Sequence, residues 1–182
     1  MEDVHSQHLM HTIQSLVYLQ SLETPEQPCT SLHIPYSGGK LLIFDLDETL
    51  VHTNESGDGE PVDIVTAEGD QVRAYVNVRP FALDCLAQTS SQYTIGIFTA
   101  SNKEYADAII DQVLDPLGIL IKFRLYREHC FLTEDRIYIK DLRIIASHSL
   151  EDVLLVDNSV HSFGFQLANG IPIVTYFNDP ND

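Results

Sequence analysis

The sequence has few cysteines, no long hydrophobic run and no basic residue near either end. Its three cysteines show no Cys-x-x-Cys spacing, which argues against a structural zinc site and predicts a reducing, intracellular location, either nuclear or cytoplasmic. No apolar run approaches the length of a membrane span, and residues 1–20 lack the basic and continuously apolar regions of a signal peptide. We therefore expect no membrane span.

Positive charge is scarce and unevenly distributed. The 182 residues include 10 Lys and Arg against 27 Asp and Glu, which gives a net charge of −17. Such a chain is unsuited to bulk nucleic acid or to an anionic membrane, so direct nucleic-acid binding is not expected. All basic residues lie between Lys40 and Arg143. Either this is chance in a small number, or positive charge is reserved for the middle of the chain, where an anionic substrate would bind.

From Lys40 onward, apolar segments of strand length alternate with helical segments. This alternation predicts an α/β fold with a parallel sheet flanked by helices. Strands are predicted at residues 40–45, 94–98, 120–127, 136–139, 153–156 and 171–177, and helices at about 80–88, 102–114 and 160–168.

Two other parts of the chain depart from this alternation. Segments 62–66 and 71–78 flank a turn and predict a β-hairpin inserted after the first strand, within an insert at about 53–78. Residues 1–39 predict a weakly amphipathic helix followed by a linker that contains proline and glycine. The folded domain is therefore predicted for residues 40–182, with residues 1–39 as an N-terminal helical arm and linker.

Asp45 and Asp47 follow the apolar run Leu41–Phe44 directly. Alternate residues of an extended chain point the same way, so both acids face one spot. Two carboxylates at one spot repel each other unless one is protonated or a cation lies between them. The pair predicts a metal site, a nucleophile with a general acid, or both.

Polar residues also follow two later strands. Thr99 and Ser101 follow residues 94–98, and Asp157 and Asn158 follow residues 153–156. Ligands of parallel α/β sheets bind at the carboxyl ends of the strands, so these groups are expected to meet the acid pair. Their hard oxygen atoms suit Mg²⁺, and Lys140 can supply a positive charge to the same pocket. These are the components of phosphoryl transfer.

The ordered set of motifs resembles the FCP/SCP-type phosphatases of the haloacid dehalogenase superfamily, which include RNA polymerase II C-terminal-domain phosphatases and Dullard-like enzymes. The resemblance covers roughly residues 40–178. It is carried by Phe44-Asp-Leu-Asp-Glu-Thr-Leu-Val-His52, Val78-Arg79-Pro80, Phe98-Thr99-Ala100-Ser101, Tyr105-Ala106-Asp107, Arg127-Glu128, Cys130, Lys140-Asp141-Leu142, Val156-Asp157-Asn158-Ser159 and Asn169-Gly170-Ile171-Pro172-Ile173. The family fold it implies is a haloacid-dehalogenase-like parallel sheet without a cap domain and with a small β-hairpin insert.

By that resemblance, Asp45 is the nucleophile that forms an aspartyl phosphate, and Asp47 is the general acid and then the general base. The resemblance further assigns phosphoryl contacts to Thr99, Ala100 and Lys140, and a substrate contact to Arg127, for which a structural ion pair is the alternative. It assigns the metal to Mg²⁺, held by Asp45, Asp47 and Asn158, with Asp157 acting through the water shell of the metal.

The implied activity is Mg²⁺-dependent dephosphorylation of serine or threonine in proteins. The C-terminal domain of RNA polymerase II is one candidate substrate. Two alternatives stay open: a catalytically silent binding module on the same fold, and a phosphatase that acts on small molecules. The segment after the first motif, residues 53–60, lacks the aromatic residue found in the small C-terminal-domain phosphatases, and Val160 stands where the family usually has proline.

Overall fold

The computed structural model describes residues 4–34 and 39–182. The helices are α1 (Val4–Ser21), α2 (Ala82–Thr89) and α3 (Lys103–Ile109), which continues as a π-helical turn over Ile110–Leu114. The strands are β1 (Leu41–Phe44), β2 (Val51–Asn54), β3 (Glu60–Val65), β4 (Gln71–Val78), β5 (Thr94–Phe98), β6 (Ile121–Leu125), β7 (Phe131–Leu132), β8 (Tyr138–Ile139), β9 (Val153–Asp157) and β10 (Gly170–Pro172).

Five parallel strands form the central sheet, in the order β10-β9-β1-β5-β6. All four residues of β1 are buried, as expected for a central parallel strand that is covered on both faces. Apolar clusters pack on either side, one around Leu42 and Phe44 and the other around Leu41 and Ile43. The predicted α/β fold is therefore confirmed.

The register of the sheet brings the three predicted strand ends to one edge. Phe44 of β1 pairs with Ile97 of β5 on one side and with Val156 of β9 on the other. The residues that follow these positions in each strand therefore emerge at the same level. This is the edge at which ligands of parallel α/β sheets bind.

The insert is a three-stranded antiparallel sheet in the order β2-β4-β3. The predicted hairpin is confirmed as β3 and β4, and the structure adds β2, so the inserted sheet begins at Val51. Sequence patterning missed β2 because three of its four residues, His52 to Asn54, are polar and only partly buried. Its strand conformation comes from pairing with β4.

Two predicted elements near the end of the chain are shorter than expected. Where a helix was predicted over 160–168, the structure has two 3₁₀ turns, Val160–Phe163 and Leu167–Asn169. The strand predicted over 171–177 is confined to β10. The last hydrogen bond to β9 comes from Ile173 N to Asp157 O (3.1 Å), and the chain then turns toward the first motif, where Tyr176 N donates to Glu48 O (2.9 Å).

The N-terminal arm packs on the rest of the chain. Helix α1 contacts the 3₁₀ turn Val160–Phe163, and Ser15 Oγ lies 3.0 Å from His161 Nδ1. Farther along, Leu32 N donates to Ile144 O (2.6 Å). The division at residue 39 stays a prediction. In residues 4–34 and 39–182, no helix is long and apolar enough to cross a membrane.

Candidate active site

A buried lysine lies between two buried carboxylates at the floor of a cleft. Lys140 Nζ donates to Asp45 Oδ1 and to Asp157 Oδ2, each at 2.6 Å. The side chain of Lys140 is only 2% exposed, and that of Asp157 is fully buried. A buried charge is stable only when it is paired and hydrogen-bonded, and here one cation serves two acids.

These close contacts shift the pKa values of the buried groups. Burial acts to lower the pKa of Lys140, but the carboxylates of Asp157 and Asp45 outweigh it and the pKa is raised. Burial raises the pKa of Asp157, and repulsion from Asp45 adds to the rise, while Lys140 opposes it. Lys140 is therefore a permanent positive charge in this cleft.

Thr49 links two of the predicted metal ligands. Its hydroxyl donates to Asp45 Oδ2 (2.8 Å) and lies 3.4 Å from Asn158 Oδ1. Asp157 is linked to Asp45 by Lys140, which donates a hydrogen bond to each carboxylate. The part of the chain that the structure describes has no group of three His, Cys, Asp or Glu side chains arranged to hold a metal. The predicted set differs from such groups, because it combines the carboxylate oxygens of Asp residues with the amide oxygen of Asn158. Those hard oxygens fit Mg²⁺.

Asp47 is held by three hydroxyl groups. Tyr105 donates to Asp47 Oδ1 (2.6 Å), while Ser101 (2.8 Å) and Thr99 (3.4 Å) donate to Oδ2. Burial raises the pKa of Asp47 and the Asp45 carboxylate adds to the rise, against the hydrogen bonds from Tyr105 and Ser101. Two features of the structure therefore reduce the repulsion within the acid pair. A cation pairs with Asp45, and proton binding is favoured at Asp47.

Arg127 lies at the rim of the same cleft. Its Nε donates to Ala100 O (2.6 Å), and its guanidinium carbon lies 5.5 Å from the centre of the Tyr138 ring. Within residues 4–34 and 39–182 Arg127 forms no ion pair. The structural ion pair that was the alternative to a substrate contact is therefore not found in the described chain.

The cleft has a volume of about 530 Å³ and brings the predicted site residues together. Those that line it are Asp45, Asp47, Thr99, Ala100, Arg127, Lys140, Asp157 and Asn158. Sequence reasoning gave no role to Thr49 or Tyr105, although both fall inside quoted motifs. Thr49 stands four residues after Asp45, a spacing that could have indicated a local contact. Tyr105 reaches Asp47 from helix α3, and no local pattern indicates that contact.

The site and fold agree with a known family. The sequence model described as NLI interacting factor-like phosphatase matches residues 40–182. The chain belongs to this family. Membership confirms the resemblance to FCP/SCP-type phosphatases that the motifs predicted.

The relatives that this chain matches differ in how much of their own length the match covers. "CTD small phosphatase-like protein 3" of Caenorhabditis elegans is 41% identical over 147 residues, which are 78% of this chain and 49% of the relative. "CTD nuclear envelope phosphatase 1" of Xenopus tropicalis is 33% identical over 187 residues, 96% of this chain and 75% of the relative. This chain therefore spans about half of the worm relative.

A solved structure supports the family fold. The fission yeast RNA polymerase II CTD phosphatase Fcp1 superposes with a TM-score of 0.62 at 18% sequence identity, over 96% of this chain and 46% of that one. At this level of identity the likeness shows a common fold. It agrees with the haloacid-dehalogenase-like sheet expected from the motifs.

Proposed function

We propose that this family member is a magnesium-dependent protein serine/threonine phosphatase that works through an aspartyl-phosphate intermediate. The observation that carries the proposal is the setting of Asp45, whose two carboxylate oxygens are held by Lys140 (2.6 Å) and Thr49 (2.8 Å) in an accessible cleft. A carboxylate fixed in this way is oriented to attack phosphorus, and Lys140 offers positive charge to the phosphoryl oxygens.

In the proposed reaction, a carboxylate oxygen of Asp45 forms a bond to phosphorus while the bond to the seryl or threonyl oxygen breaks. Asp47 donates a proton to that leaving oxygen. Asp47 then takes a proton from the water that attacks the phosphorus, which releases inorganic phosphate and restores Asp45. Thr99, Ala100 and Lys140 bind the phosphoryl oxygens through these steps.

The magnesium ion would be held by Asp45, by the backbone carbonyl of Asp47 and by Asn158, with Asp157 acting through its water shell. The side chain of Asp47 already accepts three hydroxyl donors, which is why the backbone carbonyl is proposed there. When bound, the ion offsets the repulsion between the phosphate and the carboxylates.

A polypeptide substrate suits the shape of the site. The described chain has a three-stranded insert but no separate cap domain, so a phosphate on an extended peptide can reach Asp45. The names of two relatives contain the words "CTD" and "phosphatase". We therefore include the C-terminal domain of RNA polymerase II among the candidate substrates.

A nuclear-associated location is proposed on similar grounds. Relatives include a "CTD nuclear envelope phosphatase 1" from Xenopus tropicalis and "Nuclear envelope morphology protein 1" from Saccharomyces cerevisiae. Imaging of the tagged protein tests the proposal, and exclusion from the nucleus and its envelope would contradict it.

The decisive experiment is to trap the intermediate. Wild-type protein, Mg²⁺ and a phosphoserine peptide are mixed, quenched in acid and analysed by mass spectrometry for a hydroxylamine-sensitive phosphoryl group on Asp45. Asp45→Asn is expected to abolish both the adduct and turnover, and chelation of Mg²⁺ is expected to stop turnover reversibly. Turnover that survives in Asp45→Asn would refute the mechanism.

The two alternatives give different outcomes in the same assay. A silent binding module would bind phosphopeptides without releasing phosphate. A small-molecule phosphatase would hydrolyse sugar or nucleotide phosphates faster than phosphopeptides. A phosphopeptide array probed with Asp47→Asn, in which the general acid is removed, would then identify preferred sequences.

A further inference from the structure

A second cavity, of about 410 Å³, adjoins the catalytic cleft. Glu48, Asn158 and Ser159 line both spaces, so the two meet at these residues. The remaining wall includes His11 from helix α1 and Phe177 from the segment after β10. A polypeptide whose phosphorylated residue enters the cleft can therefore extend its neighbouring residues into the second cavity.

Glu48 has a backbone conformation that favours glycine. Its φ is 57°, in the left-handed region that residues with a side chain rarely adopt. Both backbone groups are tied, because Glu48 N donates to Val51 O (2.7 Å) and Glu48 O accepts from Tyr176 N (2.9 Å). The turn would therefore form more readily with glycine. A carboxylate at this position needs an explanation beyond the turn.

The side chain of Glu48 is connected to the aromatic wall of the cavity. Its Oε1 lies 3.3 Å from His52 Nδ1. The His52 ring in turn packs edge-on against the ring of Phe177, with 5.8 Å between the ring centres. His52 thus positions a carboxylate and an exposed aromatic ring on the same cavity.

The charge of the surroundings decides what this cavity can bind. Glu48 is the acidic side chain that lines it, beside His8 and His11, while the carboxylates of the adjoining cleft are accompanied by the cations Lys140 and Arg127. An acidic substrate side chain that enters the second cavity would be repelled by Glu48 and by the net charge of −17. A cationic side chain would gain an ion pair with Glu48 and a cation–π contact with Phe177.

We propose that Glu48 and Phe177 form a specificity subsite that binds a lysine or arginine side chain near the phosphorylated serine or threonine of the substrate. This inference rests on the proposed phosphatase function and adds a substrate preference to it. His52 acts as the positioning residue, since it contacts both members of the subsite.

The test compares phosphoserine peptides that differ at one position. A lysine, or glutamine as its neutral control, is moved along both flanks of the phosphoserine, and kcat/KM is measured for each peptide with the 182-residue chain. We expect wild-type protein to prefer lysine about fivefold at one or two positions on one flank. Glu48→Gln, which keeps the shape of the side chain, is expected to remove most of this preference.

Two further variants make the test specific. Phe177→Leu keeps an apolar side chain but loses the aromatic ring, so we expect the preference to fall by about half. Glu68→Gln removes an equal charge from the exposed turn of the insert, and the preference should stay as in wild type. Each preference is a ratio within one variant, so a general loss of activity cancels.

Each outcome bears on a different claim. A lysine preference that persists in Glu48→Gln, or equal turnover of all peptides by wild type, would overturn the subsite while the phosphatase function stands. If wild type hydrolyses p-nitrophenyl phosphate but none of the peptides, the protein-substrate proposal fails and the subsite fails with it.

Discussion

Tyr105 donates a 2.6 Å hydrogen bond to Asp47 from helix α3. We predict that Tyr105→Phe lowers kcat for phosphoserine peptides about tenfold with little change in KM, because the hydrogen bond that positions the general acid Asp47 is lost. The loss should be smaller for p-nitrophenyl phosphate, whose leaving group needs less protonation. Steady-state kinetics on both substrates checks this.

Tyr93→Phe, a partly buried tyrosine of the core, serves as the matched control. This variant also removes a phenolic hydroxyl, and we expect kcat to stay at the wild-type value for both substrates. Equal losses for the two substrates in Tyr105→Phe would show that the tyrosine supports the fold rather than proton donation by Asp47.

Lys140 is the cation that two buried acids share. Lys140→Met leaves Asp45 and Asp157 facing each other without a cation, so we expect a loss of about 3 kcal/mol in the free energy of unfolding at pH 7. Urea denaturation measures it. The deficit should shrink as pH falls and the carboxylates take up protons. Lys122→Met, a substitution of an exposed lysine, is the control and should lower the free energy of unfolding by less than about 0.5 kcal/mol.

The raised pKa of Lys140 sets the sign of the wild-type response. Between neutral pH and the ordinary lysine pKa of about 10.4, the stability that Lys140 contributes is fully present, and it is lost as pH rises through the raised pKa. An unfolding free energy in Lys140→Met that equals the wild-type value at pH 7 would contradict this account of the buried triad.

Strand packing depends on one glycine of β5. A Cβ added at Gly96 would lie 2.2 Å from Cζ of Phe123 on the neighbouring strand β6. We predict that Gly96→Ala destabilises the protein by about 2 kcal/mol through overpacking. Thermal or urea unfolding tests this, and Gly39→Ala, where the added Cβ meets only an ordinary contact, is the matched control.

A compensating change sharpens the same test. Phe123→Leu shortens the ring that the new methyl group would strike, so the double variant should recover part of the stability lost in Gly96→Ala. Strictly additive losses in the two variants would show that the ring and the glycine are not coupled.

Helix α3 is joined to the sheet through Asp107. Arg124 Nη1 and the Tyr126 hydroxyl each donate to Asp107 Oδ1 at 2.7 Å, and Lys103 bonds its other oxygen. Burial acts to raise the pKa of Asp107, but these hydrogen bonds outweigh it and the pKa is lowered. The stability from this network is therefore present above the ordinary Asp pKa of about 3.9 and is lost as pH falls through the lowered value.

Asp107→Asn is expected to lose about 1 kcal/mol of stability at pH 7, because the ion pairs with Arg124 and Lys103 are lost and the amide group has only one oxygen that can accept a hydrogen bond. The difference from wild type should vanish in acid, where Asp107 is protonated in both folded and unfolded chains. Urea titrations at several pH values measure this, with exposed Asp135→Asn as the control. A difference that is independent of pH would contradict the ionic origin.

At the scale of the whole molecule, the net charge of −17 dominates the long-range electrostatics. We expect neutral salt to stabilise the fold by about 1 kcal/mol between low and physiological ionic strength, because it screens repulsion among the acids. Urea unfolding in KCl, with sucrose at matched osmolality as the control, checks the effect. Destabilisation by salt would show that ion pairs outweigh this repulsion.

Local sequence accounts for much of the sheet and for the composition of the cleft. Strands such as β1 are encoded by continuous apolar runs, and the acids that follow them mark the edge where ligands bind. Elements without such a pattern were missed or misjudged. Polar β2 is a strand because it pairs with β4, and the segment after β10 leaves the sheet to contact the first motif, where Tyr176 N donates to Glu48 O.

The sequence by itself determined that Asp45 and Asp47 follow a buried strand, because apolar periodicity and chain direction are local properties. Only the tertiary structure decided which partners they meet. Lys140 reaches Asp45 across 95 positions of the chain and Tyr105 reaches Asp47 across 58. Such contacts depend on how distant elements pack, and packing is set by shape and burial summed over the whole core rather than by any short pattern.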